Sequence, residues 1–87
     1  MHSDLEALLH AEFLARGYSE AERRESPASF GSWYRVYGRR GHTVRLVWDG
    51  RDGTFVLQEG PAWQDRAHAR PAELRSIGVA SFLRAAP

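Results

Sequence analysis

The fold turns on residues 30–58, FGSWYRVYGRRGHTVRLVWDGRDGTFVLQ, in which three runs rich in Trp, Tyr, Val, Leu and Phe are separated by two glycine-bounded turns. Such runs, bounded by turn residues, read as β-strands. In the first, Trp33, Arg35 and Tyr37 point one way, and Tyr34 and Val36 the other. Gly38-Arg39-Arg40-Gly41 forms the first turn, and Asp49-Gly50-Arg51-Asp52 followed by Gly53 forms the second. Pairing Tyr37 with His42 places Trp33 opposite Leu46. Pairing Trp48 with Gly53 places Leu46 opposite Phe55. One face then collects Trp33, Tyr37, Val44, Leu46, Trp48, Phe55 and Leu57. A one-residue slip in the second hairpin would split this set, so a four-residue loop is expected there. The opposite face carries Tyr34, Val36, Thr43, Arg45, Val47, Thr54, Val56 and Gln58, a mixture suited to a sheet wetted on one side. Arg35 falls on the apolar face. It is expected to lie at an edge, to snorkel outward, or to meet Glu6 or Glu12 on a covering helix.

Outward from the sheet, Ser3 to Arg16 reads as a helix. Leu5, Leu8, Leu9 and Phe13 share a face, with Leu14 at its margin, and Ser3 with Glu6 has capping-box spacing. Gly17 suits a left-handed helix end, after which Tyr18 can fold back onto the last turn. Ser19 to Ser29, SEAERRESPAS, is polar and reads as an exposed connection with at most one or two helical turns, stopped by Pro27. After the third strand, Gly60-Pro61 ends the sheet and Ala62 to Arg70 reads as a polar loop containing Trp63. Pro71 suits a first helical turn, and Leu74, Ile77, Phe82 and Leu83 suggest a second helical cover that Gly78 interrupts. The expected fold is a single α+β domain over 1–87, in the order αβββα, with a three-stranded antiparallel sheet covered by helices.

Composition narrows the function classes. The 87 residues include no cysteine, which excludes disulfide frameworks and cysteine-based metal or redox sites. A reducing, cytoplasmic setting is the expectation. The N-terminal stretch lacks the pattern of a signal peptide, and no run approaches the ~18 apolar residues of a membrane span. Twelve basic and eleven acidic residues leave a net charge of +1, so overall charge selects neither nucleic acid nor an acidic membrane. Every basic residue is Arg and none is Lys, as coding bias in a GC-rich, bacterial genome would produce.

Chemistry-bearing motifs are sparse. The four histidines form no HxH, HxxxH or HExxH pattern, and Asp49 and Asp52 read as turn formers rather than calcium ligands. No serine has a GxSxG or SxxK context, and GRRG is too short for a phosphate loop. The expectation is a non-enzyme without catalytic residues, cofactor or metal. An enzyme reading would need a pocket holding two or more of Glu59, Asp65, His68 and Glu73. The segment from Trp33 to Arg51 has five arginines and one acid. Its contact candidates are Tyr34, Arg39, Arg40, Arg45 and Arg51. Tyr with Arg on an open sheet suits a protein interface, and stacking with phosphate contact is the alternative. At the level of size and architecture alone, small cysteine-free αβββα domains are common among bacterial inhibitors, immunity-type proteins and accessory subunits. The expectation is therefore a non-catalytic protein-binding module, with a nucleic-acid-binding module as the alternative. An exposed third strand would also permit a homodimer through a sheet edge.

Overall fold

Five strands form one antiparallel meander in the computed structural model, which describes residues 2–87. The elements are α1 (Ser3–Ala15), β1 (Ser19–Ser26), β2 (Ser32–Arg39), β3 (His42–Asp49), β4 (Thr54–Glu59), β5 (Gln64–Ala69), α2 (Pro71–Ile77) and α3 (Val79–Phe82), closed by a 3-10 turn at Leu83–Ala85. The class is α+β, but the expected three-stranded sheet is contradicted: two further strands flank the aromatic-rich three. β1 occupies the segment read as a connection, and β5 occupies most of the segment read as a loop. Neither shows the alternation that marks a half-buried strand, because each is an edge. In β1 every residue but Glu20 is exposed, and β5 turns inward only Ala67 and Ala69, two small residues that favour strands weakly. Their backbones are ordered by the ladders of β2 and β4 rather than by their own side chains. With β5 paired to it, β4 is an interior strand, so the sheet edge expected at the third strand lies elsewhere, at β1 and β5.

Both central hairpins are shifted by two residues from the expected pairing. Trp33 lies opposite Trp48 and Tyr37 opposite Val44, with Arg40 and Gly41 as a two-residue turn. Both turn residues have positive φ, 49° and 82°, as the type I′ turn between twisted strands requires. Trp48 lies opposite Phe55, and Asp49 opposite Thr54 across a four-residue loop. The Asp49 carboxylate accepts from the amides of Arg51 and Asp52, both at 3.0 Å, which fixes that loop. A shift of two preserves the parity of the strands, so the two faces keep their expected members.

Tyr37, Val44, Leu46, Phe55 and Leu57 join Leu5, Leu9, Phe13 and Tyr18 from the N-terminal segment and Leu74, Phe82 and Leu83 from the C-terminal segment in one core. All three helices therefore contribute to the same face of the sheet. In α1 the buried stripe is Leu5, Leu9 and Phe13, and Leu8 is 54% exposed. The expected capping box does not form: the Ser3 side chain makes no cap, and the Glu6 carboxylate meets Arg35 Nη2 at 2.7 Å. A nearly buried guanidinium is the stronger demand on that carboxylate. The helix ends as its glycine implies. Gly17 has φ 85°, its amide donates to Leu14, Tyr18 donates to Phe13, and the Tyr18 ring packs edge-on to Phe13 at 5.4 Å. Gly78, at φ 87°, separates α2 from α3. Of the apolar residues expected in this cover, Leu74, Phe82 and Leu83 are buried and Ile77 is exposed.

Candidate functional site: the uncovered sheet face

The face of the sheet away from the helices is built from alternate residues of every strand. In register they include Glu22 and Arg24 on β1, Tyr34 and Val36 on β2, Arg45 and Val47 on β3, Val56 and Gln58 on β4, and Asp65 and His68 on β5. Val36 and Val56, 7% and 8% exposed, form a small apolar floor beneath longer neighbours.

Arg45 stands at the middle of this face. Its guanidinium carbon lies 5.1 Å from the centroid of Tyr34 and 4.4 Å from that of Trp63. Both distances are within the range in which a cation is held by an aromatic ring. Its Nε donates to Gln58 Oε1 at 2.8 Å, and the Gln58 amide donates to Asp65 Oδ1 at 2.8 Å. The other oxygen of Asp65 lies 3.2 Å from His68 Nε2, and the Tyr34 hydroxyl donates to Glu22 at 2.8 Å. The aromatic partners and the Gln58 relay thus hold the guanidinium in one orientation. Among the described residues neither Nη atom has a hydrogen bond or an ion pair, so its bidentate edge is unused.

The five contact candidates do not form one patch. Tyr34 and Arg45 meet on the uncovered face. Arg39 turns to the other end of the chain: it donates to the carbonyls of Arg16 at 2.6 Å and Pro87 at 2.8 Å, with its guanidinium over Tyr18 at 4.6 Å. It ties chain segments together. Arg40 and Arg51 are exposed, but they sit in the turns at opposite ends of β3, separated by the length of an eight-residue strand, about 25 Å. Trp63 and Gln58 complete the Arg45 arrangement and were not among the candidates. The signal for Trp63 was its isolation in an otherwise polar stretch; its proximity to Arg45 depends on the turn into β5, where Trp63 itself has φ 51°.

A groove on the helix-covered side, about 480 Å³ in volume, is lined by residues from α1, the β1–β2 loop and one end of the sheet. None of Glu59, Asp65, His68 and Glu73 lines it. Glu59 pairs with Arg66, and Glu73 accepts from the Arg70 amide at the start of α2. Among the described residues no three His, Asp or Glu side chains cluster as metal ligands, and no helix is long and apolar enough to cross a membrane.

These features define a small α+β domain whose antiparallel meander is covered by helices on one face and carries an arginine–aromatic centre on the other. No family model, curated protein or solved structure matches the chain.

Proposed function

We propose that the chain is a protein-binding module that docks its uncovered sheet face on a partner protein presenting a carboxylate to Arg45, the central anchor. The observation that carries this reading is the held Arg45 guanidinium, within cation–π distance of both Tyr34 and Trp63 and with its Nη edge unpaired among the described residues. Arg, Tyr and Trp are the residues that dominate binding energy at protein interfaces, and an orientation fixed in advance reduces the entropy lost on binding. A carboxylate of the partner supplies the bidentate acceptor.

The charge pattern favours protein over nucleic acid. On the uncovered face Arg24 and Arg45 are balanced by Glu22 and Asp65, and Arg24 lies 3.9 Å from Glu22. Binding a phosphate backbone needs several cations along one track, whereas here Arg40 and Arg51 point from opposite ends.

The test is co-purification from the native host with the wild-type chain, followed by affinity measurement on variants. A stoichiometric protein partner is expected, with affinity falling ~30-fold or more for Arg45→Ala and for Trp63→Ala and changing little for Arg40→Ala or Arg51→Ala. Equal binding by the Arg45 and Trp63 variants overturns the reading. So does tight binding of a single-stranded oligonucleotide that weakens steeply with salt.

A further inference from the structure

We propose that the groove on the helix-covered side is a binding site for an organic cation carrying N–H donors, a primary ammonium or guanidinium head on an alkyl stem. It is separate from the Arg45 face, since its floor belongs to the opposite side of the sheet.

The floor is a single cross-strand row. Glu25 on β1 lies opposite Trp33 on β2, Trp33 opposite Trp48 on β3, and Trp48 opposite Phe55 on β4. Directly opposed residues of an antiparallel sheet share a face, so one carboxylate and three aromatic rings stand side by side. Trp48 and Trp33 lie 4.8 and 6.2 Å from Phe55, centroid to centroid, and all three rings line the groove. The two tryptophans are only partly buried, while Phe55 beneath them is fully enclosed. The first turn of α1 overhangs this row with His2 and Glu6.

The electrostatics select the ligand. The lining carries two carboxylates, Glu6 and Glu25, and no Arg. Glu6 is neutralised by Arg35 at 2.7 Å, whose guanidinium lies 6.0 Å from the Trp33 ring centroid, whereas Glu25 has no ion pair among the described residues and is the carboxylate left to meet a ligand. Aromatic faces attract cations, and a carboxylate at the edge of the row adds a charge partner. His2 Nδ1 is shielded from solvent without a hydrogen-bond partner among the described residues, and its ring meets Trp48 edge-on at 5.2 Å. The N–H donors are required by Glu25, whose free carboxylate accepts hydrogen bonds that a quaternary ammonium cannot donate. The volume, about 480 Å³, lies within the range of small-molecule sites and exceeds what a single solvent molecule needs.

The experiment uses Trp63→Phe, which leaves Trp33 and Trp48 as the tryptophan reporters, and titrates n-butylammonium chloride against tryptophan fluorescence at constant ionic strength. A saturable change is expected, with butan-1-ol, the neutral analogue, giving none. Glu25→Gln, an exposed position at which folding is retained, weakens n-butylammonium binding by about threefold or more. Arg45→Ala in the same background binds as before, which keeps this site distinguishable from the uncovered face. A response to butan-1-ol equal to that of n-butylammonium, an unchanged affinity in Glu25→Gln, or no saturable response overturns the proposal.

Discussion

Single residues carry constraints that their types alone do not reveal. Gly50 looks like one more turn glycine, but its role is close approach: a Cβ there would sit 1.9 Å from the Phe30 carbonyl oxygen, where the β1–β2 loop crosses the β3–β4 turn. Its amide also donates to Ser32 Oγ at 2.9 Å. Gly50→Ala is therefore expected to cost about 1–3 kcal/mol, read from the urea midpoint, because backbone and not a flexible side chain must yield. Arg35 lies on the apolar face as the alternation requires, 7% exposed, and is neutralised by Glu6, with Glu20 at 4.0 Å. Glu6→Ala removes the closer acid and leaves a nearly buried guanidinium underpaired; a loss of about 1–3 kcal/mol is expected in the same assay. Tyr37 is fully buried and shares a 2.7 Å hydrogen bond with His10. Burial pushes its hydroxyl above the ordinary tyrosine range. A pKa raised in the folded state contributes stability that is complete below the unfolded value, about 10, and is lost as pH rises through the folded value. Absorbance titration should show a tyrosine ionisation above the ordinary tyrosine range that is missing in Tyr37→Phe, and the alkaline loss of stability should be smaller in that variant.

At the scale of elements, the central strands and the edges obey different physics. β2, β3 and β4 are rich in aromatic and β-branched residues, and β2 and β4 each bury three consecutive residues because both of their faces carry apolar side chains. Their composition announced them. β1 and β5 bury almost nothing of their own and hold their place through backbone hydrogen bonds to a single neighbour. Their charges, SEAERRES and QDRAHA, also discourage another chain from adding to the sheet. The bulge between Glu20 and Glu22 breaks the regularity of β1 further. Amide hydrogen exchange should therefore be ordered, with β1 opening well before β3, since local opening follows the amount of buried contact. Comparable protection across β1 and β3 would mean that the edge is held by more than its ladder. The limits of α1 were readable to within a residue, but its cap and full buried stripe were not: the ion pair with Arg35 takes the Glu6 carboxylate, and Leu8, expected on the packed face, is exposed.

For the whole molecule, the decisive joint is where the two ends of the chain meet. Arg39, at the end of β2, reaches the Arg16 and Pro87 carbonyls, the Tyr18 hydroxyl donates to Pro87, and Arg16 donates to Ala80 and Leu83. Arg39→Ala should cost about 1–2 kcal/mol and raise amide exchange in residues 79–87 more than in β3, measured by mass spectrometry. The helices at the two ends cover one face together, and that shared cover leaves Tyr34, Arg45 and Trp63 in the open on the other. The alternation in residues 33–57 determined by itself which side chains face the core and which face outward, because a strand has period two and a shift of two residues preserves it. Gly17 and Gly78 likewise marked helix limits locally, through backbone freedom at positive φ. The tertiary structure alone decided the number of strands, since edge strands are selected by a neighbour's unpaired amides and not by their own apolar pattern. It decided too that Arg39 binds main-chain oxygens while Arg45 meets Trp63 as well as Tyr34, because Pro87 and Trp63 come from segments outside the three central strands. The arginine-rich stretch from Trp33 to Arg51 therefore names the charges, and only the packing of distant segments says which of them is left to meet another molecule.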